Sequence, residues 1–141
     1  MSVANITELR DIVYGQFKTA WGTISSAPPV IYDDKEESAP TEGPYADVSI
    51  RHGASDAASI GSRSGRLWRS EASLIVDIYD DVGRGRDHAD VWTAVVQVAF
   101  RGKHSPTGDI WYRSVRVAEL NPSGSRSKTR VVVDLEYTET I

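Results

Sequence analysis

From Arg130 to Thr138, Val131, Val133, Leu135 and Tyr137 alternate with Arg130, Val132, Asp134, Glu136 and Thr138. A period of two sends the first set to one face of a strand and the second to the other. The segment therefore calls for a core on one side and for water or a neighbouring subunit on the other. The stretch Asp109 to Leu120, with Ile110, Tyr112, Val115 and Val117, reaches it across the turn residues Asn121-Pro122-Ser123-Gly124. Two strand-like runs joined by such a turn predict an antiparallel pair. The change of phase near Ser114 marks a bulge.

The other elements supply what that sheet packs against. Ile6, Leu9, Ile12, Val13, Phe17 and Ala20 recur at three- and four-residue spacing, which predicts an amphipathic helix. Asn5 and Glu8 form a capping-box signature at its start, and Gly22 and Pro28-Pro29 stop it. Trp21 is expected to anchor its far end in the core. Val30-Ile31-Tyr32 reads as a short strand and Tyr45 to Arg51 as a longer one. His52 to Arg66, rich in Gly, Ser, Ala and Arg, buries too little surface to offset its own conformational entropy, and a long mobile hairpin loop is expected there. Leu67 to Tyr79 resumes the strand pattern. Leu74, Val76 and Ile78 share one face while Ile75 and Tyr79 take the other, so both faces are expected to be covered. Asp87 as N-cap and Asp90 open a second helix whose apolar stripe comprises Val91, Trp92, Val95, Val96, Val98 and Ala99. The same stretch also alternates through Trp92, Ala94, Val96, Val98 and Phe100; the capping residues and the length favour helix. Gly102 to Gly108 is a turn-rich loop. Two helices against one antiparallel or mixed sheet make an α+β fold, and 141 residues suit a single domain spanning 1–141.

Composition narrows the chemistry. A formal charge of −4 argues against a protein whose main task is to grip phosphate backbones. With no cysteine there is no thiolate nucleophile, thiolate metal site or disulfide framework. Met1-Ser2-Val3-Ala4-Asn5 lacks a basic region followed by an apolar run, and a soluble protein made in the cytoplasm is expected. His52, His88 and His104 show no metal-ligand spacing. The acidic run Asp33, Asp34, Glu36 and Glu37 lacks the alternation and turn glycine of a calcium loop and reads as a solvated loop. Gly61-Ser62-Arg63-Ser64-Gly65-Arg66 lacks the spacing and the Lys-Ser/Thr ending of a phosphate-binding loop. No carboxylate pair has the unequal surroundings that acid–base catalysis needs. No catalytic, metal or cofactor site is expected.

What remains is contact chemistry. Arg51, Arg63, Arg66 and Arg69, with His52, concentrate positive charge on an acidic chain and suit an acidic partner surface or passing DNA. Trp68, Trp111 and Tyr112 sit on strands whose apolar positions are already supplied, so they read as exposed aromatics of the kind favoured at interfaces. The interface candidates are Arg51, His52, Arg63, Arg66, Trp68, Arg69, Arg84, Arg86, Trp111 and Tyr112.

The order of these elements resembles the tail terminator, or tail-completion, proteins of long-tailed bacteriophages. The likeness runs through Phe17-Lys18-Thr19-Ala20-Trp21, Pro29-Val30-Ile31-Tyr32 and Pro44-Tyr45-Ala46-Asp47-Val48-Ser49-Ile50. It continues along Arg69 to Tyr79, Gly83-Arg84-Gly85 and the closing strand Thr129 to Tyr137. The resemblance implies a virion protein forming a ring, commonly of six subunits, that caps the tail tube, ends its polymerisation and joins tail to head. It also implies the partners: other copies of the chain, the tail tube protein, a head-completion or connector protein, and DNA only in transit, with no membrane. Assembly is then expected in the host bacterial cytoplasm. Another neck or tail component, a nucleic-acid-binding module using the arginine-rich hairpin, and a small hydrolase remain as alternatives.

Overall fold

Asn5 starts the first helix as its side-chain chemistry dictates: Oδ1 accepts the Glu8 backbone N–H at 2.8 Å, satisfying one of the donors that a helix start leaves unpaired. The computed structural model describes residues 5–33, 38–40, 43–57, 67–81, 87–106, 108–123 and 126–140. Helix α1 spans Ile6–Trp21 and buries Leu9, Val13, Phe17 and Trp21, one residue per turn along a single stripe. Trp21 is the anchor its sequence position suggests, with its indole N–H donating to the Pro28 carbonyl at 2.9 Å.

Strands β1 (Val30–Tyr32), β2 (Tyr45–Ala57) and β3 (Leu67–Asp81) precede helix α2 (Asp87–Phe100), and β4 (Ile110–Ser123) and β5 (Arg126–Thr140) follow it. They form one five-stranded sheet in the order β1-β2-β3-β5-β4. β1 is parallel to β2 and every other pairing is antiparallel, so the sheet is mixed and open and the fold is α+β. The pairing of β3 with β5 runs the full length of both strands, from Leu67 opposite Thr140 to Asp81 opposite Arg126.

That register sorts the side chains. Ala46, Val48 and Ile50, then Ala72, Leu74, Val76 and Ile78, then Val131, Val133, Leu135 and Tyr137 all face one way and join a single core cluster with both helices. Phe17 and Phe100 are fully buried within it. Residues 87–100 are helical because Trp92, Val96 and Phe100 fall on one buried stripe, and burying that stripe outweighs the strand preference of so much valine.

Several expectations need correction. Helices cover only one face of β3. Ile75 is buried, but outside the core cluster, between Ser49 and Val132 on the opposite, polar face. The expected loop from His52 is strand as far as Ala57, where the β3 ladder continues and the Ser55 and Ser70 hydroxyls hydrogen-bond at 2.8 Å. The rest of that loop, 58–66, lies outside the described residues, as do 34–37 of the acidic run. The turn expected over 121–124 is strand as far as Ser123, because the ladder with β5 continues to Ser123 opposite Arg126, and Gly124 lies outside the described residues. Asp87 is the first helical residue, not the cap before it. Asp33, expected in a solvated loop, instead ties α1 to the sheet. It accepts the Tyr14 hydroxyl, lies 3.9 Å from Arg10 Nε and takes the Ile50 N–H at 3.4 Å. Burial, and then this carboxylate, hold the Tyr14 phenol far above its usual range, so it stays a donor.

Leu74 lies at the centre of the buried face and is fully enclosed. Leu74→Ala should lower unfolding free energy by about 3 kcal/mol in chemical denaturation, whereas Arg116→Ala, an exposed ion-pair partner, should change it by less than about 0.5 kcal/mol.

Candidate functional site

The polar face of the sheet is a graded array of paired charges, set out by the strand register. At one end Tyr45 and Tyr79 stack with ring centroids 4.5 Å apart, and the Arg126 guanidinium lies over Tyr45 at 4.7 Å. One step along, Asp47 stands directly opposite Asp77, and Asp77 opposite Arg130. Arg130 grips Asp77 with two nitrogens at 2.8 and 3.2 Å, and Lys128 adds a contact at 3.5 Å. Burial first, and then the facing Asp77 carboxylate, push the Asp47 carboxyl above its usual range despite Lys128. Further along, Asp134 accepts Ser73 Oγ at 2.8 Å and Ser114 Oγ at 2.9 Å, with Arg116 at 3.1 Å. Burial raises its carboxyl, but these donors outweigh burial and hold it below the usual range. At the far end Glu136 bridges Arg69 at 3.1 Å and Arg113 at 3.4 Å, and Arg113 also reaches Glu71 at 3.3 Å.

Of the three register shifts among the described strands, one lies at the far end of β4 between Leu120 and Ser123, and two shape the middle of this face. One interrupts β2 between His52 and Ser55, the other β4 between Tyr112 and Ser114, the break the sequence phase suggests. His52 is opposite Ala72, Ala72 opposite Leu135 and Leu135 opposite Tyr112, so both bulges sit at one level on either side of the central pair. Bulges bend and twist the strands that carry them, and at this level the face holds a groove of about 470 Å³ with Arg51, His52 and Gly53 on one wall, Arg113 and Ser114 on the other, and Ser73 and Asp134 between. A second recess of about 350 Å³ lies beside Trp111, Arg69 and Glu136. Asp77, Asp134 and Glu136 each meet a cation, whereas Asp47 faces Asp77, and no described group of His, Asp and Glu could hold a metal ion. A third recess, of about 500 Å³ and mainly apolar, lies between Ala20 of α1, with Thr23 in the turn after it, and Val91, Ala94, Val95 and Val98 of α2.

The structure gathers part of the candidate set. Arg51 and His52 line the groove on β2, Arg69 is paired with Glu136, and Trp111 is 63% exposed on the edge strand. Trp68 is half-buried. Tyr112 is not on the surface: it is buried, edge-on to Phe100 at 4.8 Å, with its hydroxyl donating to Gln16 Oε1 at 2.7 Å. Neighbours on a strand point to opposite faces, so an exposed Trp111 fixes Tyr112 inside. Arg63, Arg66, Arg84 and Arg86 lie outside the described residues. Of the other histidines, His88 sits in the first turn of α2 beside Trp92, and His104 bridges to Trp111 from the loop before β4. Sequence reading missed Arg113, Arg116 and Asp134, whose roles follow from strand register, and the outward valines of α2, whose signal was the stripe being wider than one buried face needs.

The chain belongs to the phage tail terminator protein family, whose model matches residues 8–133. The chain accordingly has a structural role in a phage tail. No curated protein matches it. Among solved structures, one chain matches with a TM-score of 0.64 at 14% identity, over 91% of this chain and 94% of its own. A chain from the virion of a native gene transfer agent particle matches with a TM-score of 0.53 at 17% identity, over 92% of this chain and 94% of its own. At these identities the two structures show a shared fold.

The Asp47–Asp77 pair gives a pH test. Asp47 titrates above its unfolded value, so its charge costs stability at neutral pH, and that cost disappears below the ordinary carboxylate range. Asp47→Asn should therefore stabilise the fold by about 0.5 kcal/mol at pH 7, with the gain fading as pH falls through 4, read by thermal unfolding across pH.

Proposed function

We propose that copies of this chain close into a ring, six in number, that caps the end of a tail tube, halts its polymerisation and joins the tail to the head. The family match over residues 8–133 carries this reading. The likeness to a chain from a gene transfer agent virion supports a place in a particle, and the family match favours its tail or neck, reached after assembly in the host cytoplasm. The function is mechanical, with no reaction catalysed.

The sheet edges supply the physics. β4 is a fourteen-residue edge strand bearing Trp111 at 63% and Val117 at 41% exposure, whereas the opposite edge, β1, has three residues. Edge strands carry backbone donors and acceptors that pair readily with another chain. At the start of β4 the loop 103–105 already takes the Ile110 carbonyl and the Tyr112 N–H, so the pairing edge lies beyond Tyr112, where the bulge at Arg113 with Arg116 beside it discourages indiscriminate pairing. Unlike edges make a heterologous contact, which either closes into a ring or runs on as a filament, and closure is what a cap requires. The partners are then other copies, the tube protein on one side and a head-completion or connector protein on the other, with DNA only passing through. Arg69 is already paired with Glu136, which weakens the nucleic-acid alternative.

Purified chain added to polymerising tube protein should end growth and give tubes of limited length under electron microscopy. Trp111→Ala should raise the concentration needed for capping at least about tenfold, as loss of an aromatic interface anchor does. Unchanged tube length at saturating chain overturns the proposal.

A further inference from the structure

Helix α2 carries a second stripe that the core does not use. Asp87, Val91, Ala94 and Val98, followed by Arg101 just past the helix end, are all exposed, with Val91 at 57% and Val98 at 67%. Arg101 still belongs to the helical ladder, since its N–H donates to the Gln97 carbonyl at 2.8 Å. The spacing is four, three, four and three, the heptad alternation by which one helix presents a continuous seam to another. The seam is also palindromic. Ala94 lies midway between Asp87 and Arg101, and Val91 and Val98 flank it almost symmetrically. When two such helices run antiparallel about a two-fold axis beside Ala94, each Asp87 meets the partner's Arg101, each Val91 lies beside the partner's Val98, and the small Ala94 side chains let the backbones approach.

Charge complementarity favours this arrangement. Neither Asp87 nor Arg101 has an ion-pair partner among the described residues, and antiparallel packing also sets the positive end of each helix dipole against the negative end of the other. A parallel pairing would place like charges together. We propose that α2 is a two-fold self-association surface through which the chain pairs with a second copy of itself. The seam lies on the helix layer and leaves the β4 edge and the polar sheet face uncovered, so the inference is independent of ring closure.

The chain has no cysteine, which makes the axis directly testable. Under mild oxidation Ala94→Cys should give a disulfide-linked dimer, and Lys18→Cys, exposed on α1, should not. In sedimentation equilibrium the unmodified chain should self-associate, and Val98→Glu should weaken that association at least about tenfold, with circular dichroism confirming an intact fold. Asp87→Arg should weaken it through repulsion by Arg101, and the exchanged pair Asp87→Arg with Arg101→Glu should restore it. Association indifferent to Val98→Glu, absence of the Ala94→Cys crosslink, or failure of the exchanged pair to restore binding would overturn the proposal. Tube capping, read separately, distinguishes this outcome from failure of the ring.

Discussion

The antiparallel pairing of β3 with β5 is the constraint from which the rest of the structure follows. Because the ladder is unbroken over the full length of both strands, one register decides every inward and outward side chain of the central sheet. A slip of β5 by one residue against β3 would expose Val131 and Val133 and bury Arg130 and Asp134. Burial of the apolar set beneath two helices is worth far more than any of the exposed ion pairs, so the core sets the register and the charges follow it.

The two faces then carry different kinds of information. On the core face, shape decides, and Asp33 fastens α1 to the strand ends through Tyr14 and the Ile50 amide. On the polar face, arginines and a lysine bridge carboxylates that in two places face one another, Asp47 opposite Asp77 and Glu71 opposite Glu136, and each ion pair holds its members in defined places more than it adds stability. Side chains already fixed by ion pairs can meet a complementary partner at little ordering cost. The aligned bulges, one on each side of the central pair, bend that surface around Ser73 and Asp134.

Much of this was legible in the sequence. The Asn5 cap, the buried stripe of α1, the Trp21 anchor, the alternation of β5 and the phase change near Ser114 each encode a local preference that packing reinforces. Where reading failed, the deciding term was non-local. His52 to Ala57 looks too polar and small to order itself, yet the neighbouring strand supplies its hydrogen bonds. Asp33 looks like part of a solvated acidic run, and only the fold brings Tyr14 to it. Tyr112 was misplaced although the alternation with Ile110 already set it inward. The partnership of Asp134 with Ser73, Ser114 and Arg116 depends on cross-strand neighbours up to 61 residues apart in the chain, which no local pattern announces.

The central claim is that this fold works by assembly at the end of a phage tail. Electron cryomicroscopy of intact particles carrying the chain tests it most directly. The account predicts a closed ring of this α+β fold at the head-proximal end of the tube, with the β4 edge of each copy against its neighbour. Finding the fold repeated along the tube, or missing from the purified particle, would contradict it.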